Sequence, residues 1–119
     1  MTTEKALALV RTYYDCWKGG DATYDEARLR GVLHERLIFE SPTGRKEGVD
    51  EFLPGLARFT KTLKSREMRQ IFAVDGEAAA IYDCALTAPV STLRCAEFFQ
   101  IVGERITAIR LVFDASAYK

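Results

Sequence analysis

The stretch from Cys84 to Asp114 limits what this chain can fold into more than any other segment. It holds three apolar-rich runs, split by Ala88-Pro89-Val90-Ser91 and by Gly103-Glu104. Both breaks have the length and composition of hairpin connections. A two-residue turn at Gly103-Glu104 predicts Glu97 opposite Arg110, Ala96 opposite Leu111 and Phe98 opposite Ile109. A four-residue turn centred on Pro89 predicts Asp83 opposite Ala96, Ile81 opposite Phe98 and Ala85 opposite Arg94. Side chains alternate along a strand, so one face carries Ile81, Asp83, Arg94, Ala96, Phe98, Gln100, Ile109, Leu111 and Phe113. The other carries Tyr82, Cys84, Leu86, Leu93, Cys95, Glu97, Phe99, Ile101, Arg110 and Val112. Both faces are largely apolar. An antiparallel sheet of this kind has to cover each of them.

Upstream, apolar spacing predicts a first helix from Thr3 to Lys18, stopped by Gly19-Gly20. Thr23 to Glu26 has the form of a capping box and opens a shorter helix to about Leu33. Leu37-Ile38-Phe39 begins a strand that ends at Ser41-Pro42. A third helix starts at Gly48, with Asp50 and Glu51 in its first turn and Phe52, Leu56, Phe59 and Leu63 on one stripe. Pro54 inside it predicts a kink or a broken first turn. Strands follow at about 65–74, 78–87, 92–102 and 105–113, the first two joined tightly at Asp75-Gly76. The expectation is an α+β fold with three helices packed on one face of the sheet. The second apolar face is expected to meet a copy of itself in a homodimer, with Glu97 and Arg110 paired in that interface.

The 119 residues suit a single domain spanning 1–119. Seventeen basic and seventeen acidic residues create no field that would draw nucleic acid or a membrane surface. The basic group Arg58, Lys61, Lys64, Arg66 and Arg69 reads as a solvated face. The first ten residues carry charges within a short apolar stretch, unlike a signal peptide or a membrane span. Three cysteines without metal spacing suit a reduced, cytoplasmic protein; Cys84 and Cys95 fall opposite one another and are expected as buried thiols. His34, placed at the end of the second helix, has no second metal-type ligand at helical or strand spacing, and Cys16 has no partner histidine. The lone histidine thus gives no reason to expect a metal, and without a glycine-rich phosphate loop no nucleotide cofactor is expected.

The order of elements, with Trp17, Gly19-Gly20-Asp21, Phe39-Glu40-Ser41-Pro42, Gly48, Ala96-Glu97-Phe98-Phe99 and Val112-Phe113-Asp114, resembles the SnoaL-like group of the nuclear transport factor 2-like superfamily. The resemblance implies a cone-shaped, curved and mainly antiparallel sheet wrapped around three helices, enclosing a pocket and usually dimeric. It also implies several chemistries, since one fold hosts many. By similarity to ketosteroid isomerases, the oxyanion tyrosine falls on Tyr13, the base on Ser41 and the protonated acid on Ala96. By similarity to limonene-type epoxide hydrolases, the arginine and the two aspartates fall on Ile81, Asp83 and Leu111. One position in three survives in each pattern.

On this reading the pocket faces the side of the sheet that bears Asp83. Asp83 is the candidate general base or acid, with Tyr13 or Arg94 holding a polar atom of the ligand. Trp17, Ser41, Ile81, Ala96, Phe98, Gln100, Ile109, Leu111 and Phe113 would line the pocket. Alternatively Asp83 and Arg94 neutralise each other, with Tyr13 hydrogen-bonded to the pair. The expected ligand is a small, mostly apolar molecule. Its fate is cofactor-free acid–base chemistry (isomerisation, cyclisation, dehydration or epoxide opening), or binding without catalysis in a dimeric module.

Overall fold

The computed structural model describes residues 2–118. Helix α1 (Thr3–Asp15) is capped by Thr2, whose hydroxyl accepts the Lys5 N–H at 3.2 Å. It buries Ala6, Val10, Tyr13 and Tyr14 on one stripe and ends three residues earlier than expected. Turns carry the chain to Gly20, at φ +77°, where an added Cβ would lie 2.8 Å from the Leu63 carbonyl oxygen. Only glycine fits there. Helix α2 (Glu26–Val32) is capped by Asp25, which accepts the Arg28 N–H at 3.0 Å, and not by Thr23. The Thr23 hydroxyl instead accepts the Gly19 N–H at 2.7 Å.

Strands β1 (Leu33–Ser41) and β2 (Gly44–Glu47) form a hairpin. His34 therefore lies within a strand, where its Nδ1 accepts the Arg36 N–H at 3.0 Å, rather than at a helix end. Helix α3 (Val49–Thr62) runs through Pro54 as one helix and buries Val49, Phe52, Leu53, Leu56 and Thr60. Strands β3 (Leu63–Val74), β4 (Glu77–Leu86), β5 (Thr92–Val102) and β6 (Arg105–Val112) complete the chain.

The sheet has six strands in the order β2-β1-β6-β5-β4-β3, with β1 parallel to β6 and the remaining pairs antiparallel. It is open, not closed into a barrel. The three helices pack on one face, α1 against β3 and β4 and α3 against β1, giving the expected α+β architecture.

Register differs from expectation in two ways, and only one has consequences. Between β4 and β5 the pairing slips by two, so Asp83 faces Arg94 and Ile81 faces Ala96; a shift of two leaves every side chain on its own face. Between β5 and β6 the turn behaves as expected, with Val102 opposite Arg105 and Ile101 opposite Ile106. Gln100 then pairs with Ala108, leaving Thr107 as a bulge residue. Beyond it Glu97 faces Leu111 and Phe98 faces Arg110. That single-residue step moves Ile109 and Leu111 to the side of Glu97 and Phe99. Glu97 and Arg110 are not a cross-strand pair.

The helices cover the face bearing Tyr82, Cys84, Leu93, Cys95, Glu97, Phe99 and Ile101, all buried. Ile81, Asp83, Arg94, Ala96, Phe98 and Gln100 point the other way, with Phe98 52% exposed. On β4 and β5 the inward and outward faces are thus the reverse of the expected assignment, while the bulge leaves Ile109 and Leu111 on the expected inner side. α1 brings bulky rings, and these pack on rings: Tyr13 on Phe99 at 5.7 Å and Tyr14 on Tyr82 at 5.4 Å between centroids.

Candidate functional site

A cavity of about 510 Å³ lies between the inner face of the sheet and the helices. Its walls are mostly apolar: Trp17 from the turn after α1, Phe39 from β1, Phe52, Leu56 and Phe59 from α3, and Leu111 and Phe113 at the end of β6. Phe39 and Phe52 pack at 4.8 Å between centroids, and Phe113 packs on Tyr118 at 5.5 Å. The size and lining suit a small apolar ligand held by a few polar groups.

Among the described residues, one carboxyl reaches this cavity. Glu97, 2% exposed, accepts hydrogen bonds at Oε1 from the Tyr14 hydroxyl at 2.7 Å and the Tyr82 hydroxyl at 2.8 Å. Its Oε2 takes no hydrogen bond among the described residues. Burial pushes its pKa up to about 7, although both tyrosines and the nearby Arg66 charge pull the other way. Arg66 donates to the Tyr14 carbonyl at 3.0 Å and lies over the Trp17 ring at 4.5 Å. Burial and the adjacent Glu97 hold the Tyr13, Tyr14 and Tyr82 hydroxyls protonated well beyond their usual range.

Unused donors stand around the same space. Tyr13 lines the cavity, and its hydroxyl has no hydrogen-bond partner among the described residues. Trp17 Nε1 and the Tyr118 hydroxyl, on two further lining residues, are buried and have no hydrogen-bond partner among the described residues. The site can therefore hold a polar atom of an apolar molecule and exchange a proton with it.

Of the residues expected here, Tyr13, Trp17, Ser41, Leu111 and Phe113 line the cavity. Ile109 is fully buried in the core without lining it. Asp83, Arg94, Ile81, Ala96, Phe98 and Gln100 lie on the opposite side of the sheet, because the covered face is the other one. Asp83 accepts from Arg94 Nε at 2.7 Å and Nη2 at 2.8 Å, and from Arg69 Nε at 2.7 Å. Those guanidinium hydrogen bonds hold its carboxyl well below the usual carboxylate range. The self-neutralising alternative thus describes Asp83, with Arg69 and not Tyr13 as the third member. Asp83→Asn should leave binding in the cavity unchanged, as checked by calorimetry with a small aromatic ligand.

Alternation puts Glu97 and Tyr82 on one face, and the sequence reading assigns that face to an interface between copies, where the structure has the helix-covered interior. The overlooked signal was the supply of hydroxyls: Tyr82 on the same face and Tyr14 on the inward stripe of α1. Removing either donor, as Tyr14→Phe or Tyr82→Phe, should raise the Glu97 midpoint above about 7, as followed by carbon-13 NMR of the side-chain carboxyl; an unmoved midpoint would refute the coupling. Cys84 and Cys95 are free and buried, with Tyr82 opposite Cys95 and Leu93 opposite Cys84, and Cys95 lies on the cavity wall.

The basic group read as one solvated face divides three ways. Arg66 stacks on Trp17, Arg69 binds Asp83, and Arg58 stands at the cavity. No helix is long and apolar enough to cross a membrane, among the described residues.

A protein from Kribbella flavida shares 24% identity and superposes with a TM-score of 0.81, covering 94% of this chain and 88% of its own. An NTF2-like protein of unknown function from Cytophaga hutchinsonii shares 18% with a TM-score of 0.73, covering 90% and 88%. An LEH-like epoxide hydrolase from M. tuberculosis shares 18% with a TM-score of 0.76, covering 95% and 85%. At these identities the likeness is one of fold. Among curated proteins, no sequence matches this chain. The sequence profile of the SnoaL-like domain matches residues 10–109, nearly the whole of α1 through β6, and the chain belongs to that SnoaL-like family.

Proposed function

We propose that this protein binds a small, mostly apolar molecule in the cavity and moves a proton on it without a cofactor, with Glu97 as base and acid. The observation that carries the reading is a buried carboxyl on the cavity wall, held by two tyrosine hydroxyls and shifted to about 7. A base is most useful when its pKa lies near the working pH. Glu97 ionises where a carbonyl compound would need it to, and its second oxygen is open. The unengaged Tyr13 hydroxyl supplies a donor for the oxygen on which charge develops. Proton transfer beside a carbonyl is shared by isomerisation, aldol-type cyclisation and dehydration, and it defines the reaction class.

The test is hydrogen–deuterium exchange at the carbon next to the carbonyl of 2-tetralone in D2O, followed by proton NMR. Wild type should accelerate exchange, with a rate that rises through about pH 7 and then levels. Glu97→Gln should lose about 10²–10⁴-fold. Equal exchange by the variant, with the ketone still bound, would remove Glu97 as the base, and no acceleration by wild type would leave a binding module without proton-transfer chemistry.

We also infer that the outer sheet face meets a second copy of the chain. Phe72, Ala79 and Phe98 form one cross-strand row there, and Ile81, Ala96 and Val112 the next. Phe72, Ile81, Phe98 and Val112 are exposed. Adjacent exposed apolar rows on a sheet are characteristic of an interface. Phe98→Glu should turn a dimer into a monomer in light scattering after size exclusion; a monomeric wild type would end this reading.

A further inference from the structure

Most of the cavity lining is apolar, yet its solvent end carries cations that nothing in the fold uses. Lys46 on β2 and Arg58 on α3 both line the cavity, Lys46 half-buried and Arg58 exposed. Neither makes an ion pair among the described residues. Their neighbour Arg45 also lines the cavity, but it is committed to Glu47 at 3.2 Å and Glu40 at 3.7 Å. Arg58 lies back along its helix: a Cβ added to Gly55, another lining residue, would sit 3.8 Å from Arg58 Nη2. Lys46 pairs with Phe39 across the hairpin and so shares its face. The two cations come from two elements, one from the hairpin and one from α3, while among the described residues the cavity's one acid, Glu97, is buried.

That polarity selects and orients a ligand. We propose that the cavity takes an apolar molecule bearing one carboxylate, with the carboxylate at the mouth between Lys46 and Arg58 and the apolar body directed inward towards Glu97. Three physical terms agree. An anion is favoured beside unpaired cations at the rim, where it keeps part of its hydration. The aromatic and aliphatic walls reward burial of the body. Glu97 opposes entry of a second negative charge, so the reverse orientation is disfavoured. The assignment rests on the cavity being the ligand site and deepens that reading; it does not depend on proton transfer.

The experiment compares 2-naphthoate with 2-naphthalenemethanol, an anion and a neutral compound of nearly the same shape, by isothermal titration calorimetry. Wild type should prefer the carboxylate by about tenfold or more, and the preference should shrink as salt is raised. In Lys46→Gln/Arg58→Gln the ratio of the two affinities should fall to near one, with circular dichroism confirming an intact fold. Equal affinities in wild type, or a preference that survives in the double variant, would overturn the proposal. Binding of neither compound would overturn it together with the cavity's role as a ligand site. A cation-dependent preference alongside undiminished exchange in Glu97→Gln would sustain this assignment and remove only the role of Glu97 as base.

Discussion

Glu97→Gln should make the protein more stable than wild type at pH 8 and nearly equal to it at pH 4. Glu97 has a folded pKa near 7 against an ordinary value near 4.5, because burial disfavours the charged form. The folded state therefore holds a proton between those limits that the unfolded chain has released. An acid with a raised pKa contributes its full stability below the unfolded value and loses it as pH rises to the folded one. Wild type should accordingly lose stability between about pH 4.5 and 7 and then level off. Each pKa unit corresponds to about 1.4 kcal/mol, which makes the loss on the order of 3 kcal/mol. Glutamine has the same shape, no charge, and an oxygen that can still accept from Tyr14 and Tyr82. Urea melts of both proteins from pH 4 to pH 8 measure the difference, and the subtraction cancels every other titrating group. Parallel profiles would show that Glu97 ionises as readily folded as unfolded. A residue that costs stability at working pH and is nonetheless present fits a functional use of its proton.

Trp17→Ala should cost about 3–5 kcal/mol, the range for truncating a large buried aromatic. Trp17 is 1% exposed and its ring meets those of Tyr14 at 5.6 Å, Tyr82 at 5.9 Å and Phe59 at 6.1 Å. It thereby joins the end of α1 to β4 and α3, and it carries the Arg66 guanidinium on its face. Removing the ring would enlarge the cavity and strip Arg66 of its stacking partner, two losses on the same side of the ledger. Trp17→Phe should cost less, since a ring remains. The measurement is the urea midpoint at constant m-value, and a loss below about 1 kcal/mol for alanine would mean that the cluster collapses around the gap without difficulty.

The two predictions bear on one question, whether the tyrosine–glutamate–tryptophan cluster is scaffold or site. Glu97 weakens the fold as pH rises, while Trp17 holds it together. The cavity wall is built from both.

Much of the architecture is legible without coordinates. Gly103-Glu104 set the β5–β6 turn at Val102 and Arg105, and Asp75-Gly76 set the β3–β4 hairpin. The stripe of Phe52, Leu56 and Phe59 marked α3, and the motifs from Trp17 to Asp114 marked the family. Five of the expected cavity residues, Tyr13, Trp17, Ser41, Leu111 and Phe113, are on its wall. Strand β2 went unseen because four residues of Gly-Arg-Lys-Glu carry no apolar alternation.

Local chain chemistry, through turn composition and the period of apolar residues, determined which segments are helices, which are strands and which side chains share a face between β4 and β5. It could not say which face is the interior, because Ile, Leu and Phe occur on both. Packing decided that: the rings of α1 need large partners, Tyr82 and Phe99 provide them, and an extra residue at Thr107 brings Ile109 and Leu111 to the same side. Once that face is covered, Asp83 is left to the arginines outside, and Glu97 becomes an acid in the cavity wall, tolerated there because two hydroxyls from separate elements reach it.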